Sequence, residues 1–302
     1  MSDSGILYMI VGRKHHPVLV VSIFSLRKHW QGPVHIAAGD EAGEEIAKLI
    51  CHDDRLHGKD GRTTWERWSP PTEPRGATYY SKCWMQELSP FDQTVFLDAD
   101  TIIEKPLDVL FEFDGANSAP MRTRDPGCFS MGGWRINLTR FASWPSNGRK
   151  ITGRLKPWAV HAPFDYRTMT TQNLPAINTG VVSFDKSEQA GEFFRDWKET
   201  CKKNVSFICD ELAAQLIFHR HAVRVVDARW NASPIHCDDA TNEAAVVRHF
   251  HGRKHVNRWE GRRYWLPVYN ECVRENIAQI AEWTPGSDRR LREWLESQKA
   301  TA

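Results

Sequence analysis

Charge of one sign is missing from this chain. Its 40 basic residues face 38 acidic ones, a net charge of +2, so the molecule as a whole offers neither a nucleic-acid surface nor an anionic-membrane surface. Long apolar runs are missing too. Residues 6–11 are far too short to span a bilayer, and Met1-Ser2-Asp3-Ser4-Gly5 ahead of them has no basic leader region, so neither insertion nor secretion is expected. The seven cysteines are odd in number and scattered without a Cys-x-x-Cys spacing, which fits a reduced, cytoplasmic setting. A single glycine, Gly12, follows the first apolar run, too few for a glycine-rich phosphate loop. No internal repeat is visible, and no linker is long enough to force a second independent domain. Tryptophan, by contrast, is plentiful at 13 residues; most fill cores and edges, while an exposed indole face can stack on a sugar ring.

A hydrophobic content of 41% supports an ordinary packed core. The opening pattern is βαβα: a strand at 6–11, a helix at 17–30 with Pro17 in its first turn, a strand at 34–38 and an acidic helix at 41–50. Residues 53–77, rich in Gly, Pro and charge, read as loop, and 79–88 as a helix leading into a strand at 95–97. Further on come a strand at 181–184, a Ser187-capped helix with Phe193, Phe194 and Trp197 on its apolar side, and a helix after Asp210. Strands at 223–226 and 245–249 close the core. Such alternation defines an α/β fold with a mostly parallel sheet, in which ligands bind beyond the carboxyl ends of the strands. Residues 115–176, rich in Gly, Pro, Trp and Arg, read as an insertion over that site. Trp134, Trp144, Trp158 and Tyr166 within it either line an acceptor groove or anchor the insertion. The expected organisation is a main domain over 1–260 and a helical extension over 261–302, with apolar positions that suit packing on the domain or on a second subunit.

The segment Thr94-Val95-Phe96-Leu97-Asp98-Ala99-Asp100-Thr101 carries the sharpest chemical signal. Burying either carboxylate uncompensated would cost several kcal/mol, on the order of any buried unpaired charge, so both belong at the exposed end of a strand facing something cationic. On a straight strand they would point to opposite faces; where the backbone turns they converge on one divalent metal. A lone Asp-x-Asp also suits a solvated turn. Lys82, one expected helix upstream, can balance a phosphate. The run Val246-Val247-Arg248-His249-Phe250-His251-Gly252-Arg253-Lys254-His255 ends a strand in histidine and continues into a cationic cluster suited to a diphosphate. One imidazole and two carboxylates leave open positions on a metal such as manganese. His15, His16, His219 and His221 read as structural or surface residues.

Taken in order along the chain, these motifs resemble the retaining glycosyltransferases of the glycogenin and lipopolysaccharide galactosyltransferase group, glycosyltransferase family 8, over roughly residues 79–259. Phe96-Leu97-Asp98-Ala99-Asp100-Thr101, followed by Lys105-Pro106-Leu107, is similar to that family's metal motif. Lys82 stands where the family carries a basic residue on the sugar nucleotide. Asn178-Thr179-Gly180-Val181 is similar to its donor-sugar segment, and Asp210-Glu211 to its Asp-Gln pair near the reacting sugar. Trp230-Asn231 has a counterpart as well. His249-Phe250-His251-Gly252 matches a His-Phe-x-Gly pattern and makes His249 the implied third metal ligand. The chain departs from the family at Glu211, an acid in place of an amide, and at His255, where the family carries a diphosphate-binding lysine; Lys254 is the nearest substitute.

The resemblance implies a GT-A fold and metal-dependent transfer of a sugar from a nucleotide diphosphate sugar, a UDP-sugar, to an acceptor hydroxyl with retention. The metal would be Mn2+ or Mg2+, held by Asp98, Asp100 and His249. Lys82, Asp98, Ala99, Asp100, Thr179, Gly180, Gly252 and Lys254 would bind the donor, and Asp210, Asn178 and Glu211 would act on the sugar. The acceptor would be a glycan, a lipid-linked sugar, a protein or a small molecule; nucleic acid is disfavoured despite the arginines of the insertion. Rival readings are a non-catalytic sugar-nucleotide or glycan-binding protein and a sugar-phosphate nucleotidylyltransferase.

Overall fold

The computed structural model describes residues 4–59, 62–70, 77–112, 122–123, 178–203, 225–226, 228–234, 237–250 and 259–277, together with 210, 214, 217, 220 and 221. The 115–176 insertion apart from 122–123, its aromatic residues, Glu211, Gly252, Lys254, His219 and residues 278–302 of the expected helical extension lie outside the described residues.

Strand β1 (Ser4–Ile10) is apolar along most of its length because helices cover both faces of a central parallel strand. It leads through Gly12, at φ +77°, into helix α1 (His16–Arg27), where Pro17 fills a first-turn position that needs no N–H. All twelve residues of α1 are buried, so it runs through the core and does not lie on it. Strand β2 (Val34–Ala38) follows, then helix α2 (Glu41–His52), capped by the Asp40 carboxylate accepting from Gly43 N–H at 2.7 Å. The expected loop over 53–77 instead contains a one-turn helix α3 (Asp54–His57) and strand β3 (Thr63–Arg67). As the outermost strand, β3 buries only Thr63, so no apolar period marks it. The helix expected over 79–88 is a 3-10 segment, Ala77–Trp84, followed by one α-turn, α4 (Met85–Leu88).

Strands β4 (Gln93–Leu97) and β5 (Thr101–Ile103) are followed by the short β6 (Arg122–Thr123) and by β7 (Val181–Asp185). Helix α5 (Glu188–Lys203) begins as expected, with Ala190 N–H donating to the Ser187 hydroxyl at 3.2 Å and Phe193, Phe194 and Trp197 buried. Strand β8 (Val225–Val226), helix α6 (Asp239–Ala244), strand β9 (Val247–His249) and helix α7 (Trp259–Arg274) follow, and 3-10 turns at Arg13–His15, Asp108–Phe111 and Ala228–Asn231 complete the described elements. Asp210, Ala214 and Ile217 are helical, the last two buried. Helix α7 places Trp265, Tyr269 and Cys272 in the same apolar core as β1, β2 and α1.

The main sheet runs β3-β2-β1-β4-β7; its first three pairings are parallel and β4–β7 is antiparallel. A second antiparallel pair joins β5 to β9, with Thr101 opposite His249. Both antiparallel pairs meet at the carboxyl end of β4, and that position is where the candidate residues gather. Cys51, Cys83, Cys201 and Cys272 are free thiols, whereas Cys237 is disulfide-bonded.

Candidate active site

Leu97 ends β4 and Thr101 begins β5, so the chain turns between them and the Asp98 and Asp100 carboxylates come to one side. An oxygen of each lies within 4.8 Å of the other and of a His249 nitrogen. The turn is held from both flanks: Asp98 N–H donates to Gly180 O at 2.8 Å, and Phe250 N–H to Asp100 O at 3.0 Å. It is also held from below. The Thr101 hydroxyl donates to Asp98 O at 2.8 Å, so the buried Ser22 hydroxyl must donate to Thr101 and Tyr8 to Ser22, each at 2.9 Å. Burial pushes the Tyr8 phenol well above its usual value, which keeps it a donor.

Register on β9 delivers His249, which is nearly inaccessible at 3% exposure. Its Nε2 stands 3.3 Å from Asp98 Oδ2 and 3.2 Å from Asp100 Oδ1. Its Nδ1 is 2.9 Å from Asn231 Oδ1. Asn231 in turn donates to Asn178 Oδ1 at 2.9 Å, and the same oxygen accepts Gly180 N–H at 2.8 Å. The imidazole sits against Gly180, where an added Cβ would meet its Cε1 at 2.3 Å. Burial alone would lower the His249 pKa, but the Asp100 and Asp98 carboxylates outweigh it and raise it to about 9.

Lys82, from the 3-10 segment, places Nζ 2.7 Å from Asp98 Oδ2 and 3.5 Å from Asp210 Oδ2. The Thr179 hydroxyl, itself 3.4 Å from that ammonium, donates to Asp210 Oδ2 at 2.6 Å. Asp210 is thereby tied to the segment containing Asn178. Burial opposes the Lys82 charge, yet Asp98 and Asp210 more than offset it and hold its pKa above the ordinary lysine value. At Asp98, burial is outweighed by Lys82 and His249, so the carboxyl stays below its usual range. Three carboxylates thus face one ammonium and one imidazole. The converging oxygens and nitrogen form the hard-to-borderline donor set that a divalent cation satisfies, so the residues fit a metal.

A cleft of about 450 Å³ opens over this cluster at the carboxyl ends of β1 and β4. Its wall includes Lys82, Asp98, Ala99, Asp100 and Asp210, all singled out in the sequence. Gly12, Lys14, His15 and Ser81 also line it; the sequence assigned none of them to the site, and His15, expected to be structural or surface, instead faces the cleft. The signal for the first three was positional: they follow the first strand of a parallel sheet, the turn such folds use for ligands. Ser81 offers a buried hydroxyl without a partner among the described residues, a feature no sequence pattern carries. His16, expected to be structural, is buried in α1 with its pKa lowered chiefly by burial.

No family model matches this chain, and no curated protein matches it by sequence. Solved structures do match it in fold. The galactosyltransferase LgtC in complex with donor and acceptor sugar analogs superposes with a TM-score of 0.55 at 14% identity, over 88% of this chain and 95% of that one. The glycosyltransferase GlyE of Streptococcus pneumoniae TIGR4 gives 0.56 at 10%, over 92% of this chain and 64% of that one. Mouse xyloside xylosyltransferase 1 in its apo form gives 0.51 at 15%, over 82% and 98%. At such identities the likeness is one of fold, and the fold is GT-A: a mixed, mostly parallel sheet flanked by helices.

Proposed function

We propose that this chain is a metal-dependent glycosyltransferase that moves a hexose from a nucleotide diphosphate sugar, a UDP-sugar, to an acceptor hydroxyl with retention at the anomeric carbon. The observation that carries this reading is the joining of Asp98, Asp100, His249, Lys82 and Asp210 into one cluster at the strand ends. The setting adds to it, since the fold is shared with enzymes described as sugar transferases. Asp98, Asp100 and His249 would hold the ion, Mn2+ or Mg2+. A divalent metal there supplies positive charge against the departing diphosphate.

Cleaving the anomeric bond leaves positive charge on the sugar ring and negative charge on the diphosphate, so fixed charges lower the barrier. Lys82, held protonated by its two carboxylate partners, supports the phosphate side. Asp210, anchored by Thr179 and facing the cleft, supports the ring side. Ala99, Thr179, Gly180, Gly252 and Lys254 are assigned to donor binding, with Glu211 and Asn178 beside the sugar. With no strong base assigned to the acceptor, the leaving phosphate takes its proton, as the family resemblance implies. The acceptor is assigned to the side of residues 115–176. The cytoplasmic setting is supported by four free thiols and opposed by the disulfide at Cys237; alkylation before and after reduction, read by mass, decides between them.

Release of nucleotide from UDP-, GDP-, CMP- and dTDP-sugars, measured with Mn2+ and with chelator, tests the proposal. Selective, metal-dependent release is expected. Tight donor binding without any turnover would instead identify a binding protein.

A further inference from the structure

The hydrogen bonds behind His249 can be directed unambiguously. A backbone N–H only donates, so Gly180 fixes the Asn178 side chain with Oδ1 toward it. That oxygen also faces the Asn231 amide at 2.9 Å, so Asn231 presents Nδ2 there and turns Oδ1 toward the histidine. An amide oxygen only accepts, so His249 Nδ1 carries a proton at that 2.9 Å contact. The remaining nitrogen, Nε2, is the one aimed between Asp98 and Asp100. Every member of the chain is buried: Asn178 is 7% exposed, Asn231 4% and His249 3%.

We infer that Asn231 and Asn178 are positioning residues for the metal-binding histidine: together they fix its tautomer and ring angle so that Nε2 presents its lone pair to the cation. This deepens the proposed function and rests on its metal assignment. It also gives the Asn178-Thr179-Gly180 segment a second duty. Both acceptor directions of Asn178 Oδ1 are committed to protein donors, so this oxygen acts as a brace and makes no sugar contact. Gly180 completes the mount, because any side chain there would occupy the place of the imidazole. Three separated pieces of chain, at 178–180, 231 and 249, act as one holder. Support of this kind typically governs metal affinity as strongly as some direct ligands do.

The test is Mn2+ binding to the full chain, read from the loss of the free aquo-ion signal in electron paramagnetic resonance, with thermal melting as a folding control. Wild type is expected to bind one ion. Asn231→Leu, which keeps the bulk and removes the acceptor, is expected to weaken binding by about 10–100-fold. Asn178→Asp, which keeps the oxygen that accepts from Gly180 and from Asn231 and so holds Asn231 in place, is expected to stay within the same decade as wild type. If Asn231→Leu folds and binds Mn2+ like wild type, the positioning role is wrong. Should that variant not fold, Asn178→Asp still decides: loss of binding although both of those hydrogen bonds are kept overturns the role. Absence of Mn2+ binding by wild type itself overturns the metal assignment, and the inference with it.

Discussion

The parallel half of the sheet and its antiparallel margin are built from different materials. Around β1, β2, α1 and α2 the interior is mostly aliphatic, with Ile6, Ile36, Val34, Leu19 and Ile46 wholly inaccessible, although His16, Ser22, Ser25, Arg27 and His35 are buried there too. Where β4 meets β7 and β5 meets β9, the apolar strand residues are joined by a concentration of buried polar groups: Thr101, Asn178, Thr179, Ser183, Asn231, Arg248 and His249. Arg248 is typical of the margin. Its guanidinium bonds Glu104 at 2.7 Å and Asn242 at 3.2 Å and covers the Tyr264 ring at 3.6 Å. Aliphatic burial is non-directional and supplies stability, whereas directed hydrogen bonds fix atoms to a fraction of an ångström, as a site requires. The Tyr8–Ser22–Thr101 hydroxyl chain joins the halves, carrying the rigidity of β1 and α1 to the Asp98 turn.

If that division is real, substitutions should sort by region. Asp100→Asn carries the largest expected effect, a fall in sugar-transfer turnover of about 1,000-fold with little change in melting temperature, since it removes charge from the site and no aliphatic packing. Ile36→Ala should do the reverse. Chemical denaturation should report a loss of about 2–5 kcal/mol, while the Mn2+ affinity of the folded fraction stays at the wild-type value. Gly180→Ala lies on the boundary: its Cβ would press on the His249 ring, so a loss of about 1–3 kcal/mol should accompany weaker metal binding. Gly191→Ala provides the contrast. In α5 its nearest neighbour would be 3.5 Å away, and a gain of about 0.5–1 kcal/mol is expected.

The smallest effect concerns pH and belongs to the aliphatic half. Burial lowers the pKa of His16, against Glu45, and of His35, against Glu66, below the ordinary 6.5. The unfolded chain therefore takes up protons first. Their contribution to stability is complete above pH 6.5 and declines as the pH falls below it, toward the lowered folded-state values. His249, raised to about 9, opposes this trend as the pH falls toward 6.5, so the decline is read as a difference: from pH 7.5 to 5.5 the urea midpoint of His35→Gln should fall less, or rise more, than that of wild type.

The same division explains what the sequence made legible. Continuous apolar runs disclosed β1, β2 and α1, because burial all round leaves a compositional mark on nearly every residue, and α2 showed itself by its one apolar face, Ile46, Ala47 and Ile50. The polar edge strand β3 left none, having one buried position in five. At the site, residue chemistry singled out Asp98, Asp100, Lys82 and a strand ending in histidine, and the family resemblance added Asp210 and selected His249 as the ligand. Their support was not legible. Nothing in the spacing of Asn231 or Ser22 reveals that one orients a histidine 18 residues on and the other reaches Thr101 across 79 residues. Those contacts exist only once α1 packs on β5 and the turn at Ala228–Asn231 lies beside β9.

The central claim is that this polar margin binds a nucleotide sugar through a metal. The most direct measurement is the melting temperature of the full chain with each nucleotide sugar, with and without Mn2+, beside the Asp100→Asn variant. One donor class should raise it when Mn2+ is present, and chelator or Asp100→Asn should abolish the rise. A rise that survives both, or none with any donor, would contradict the claim.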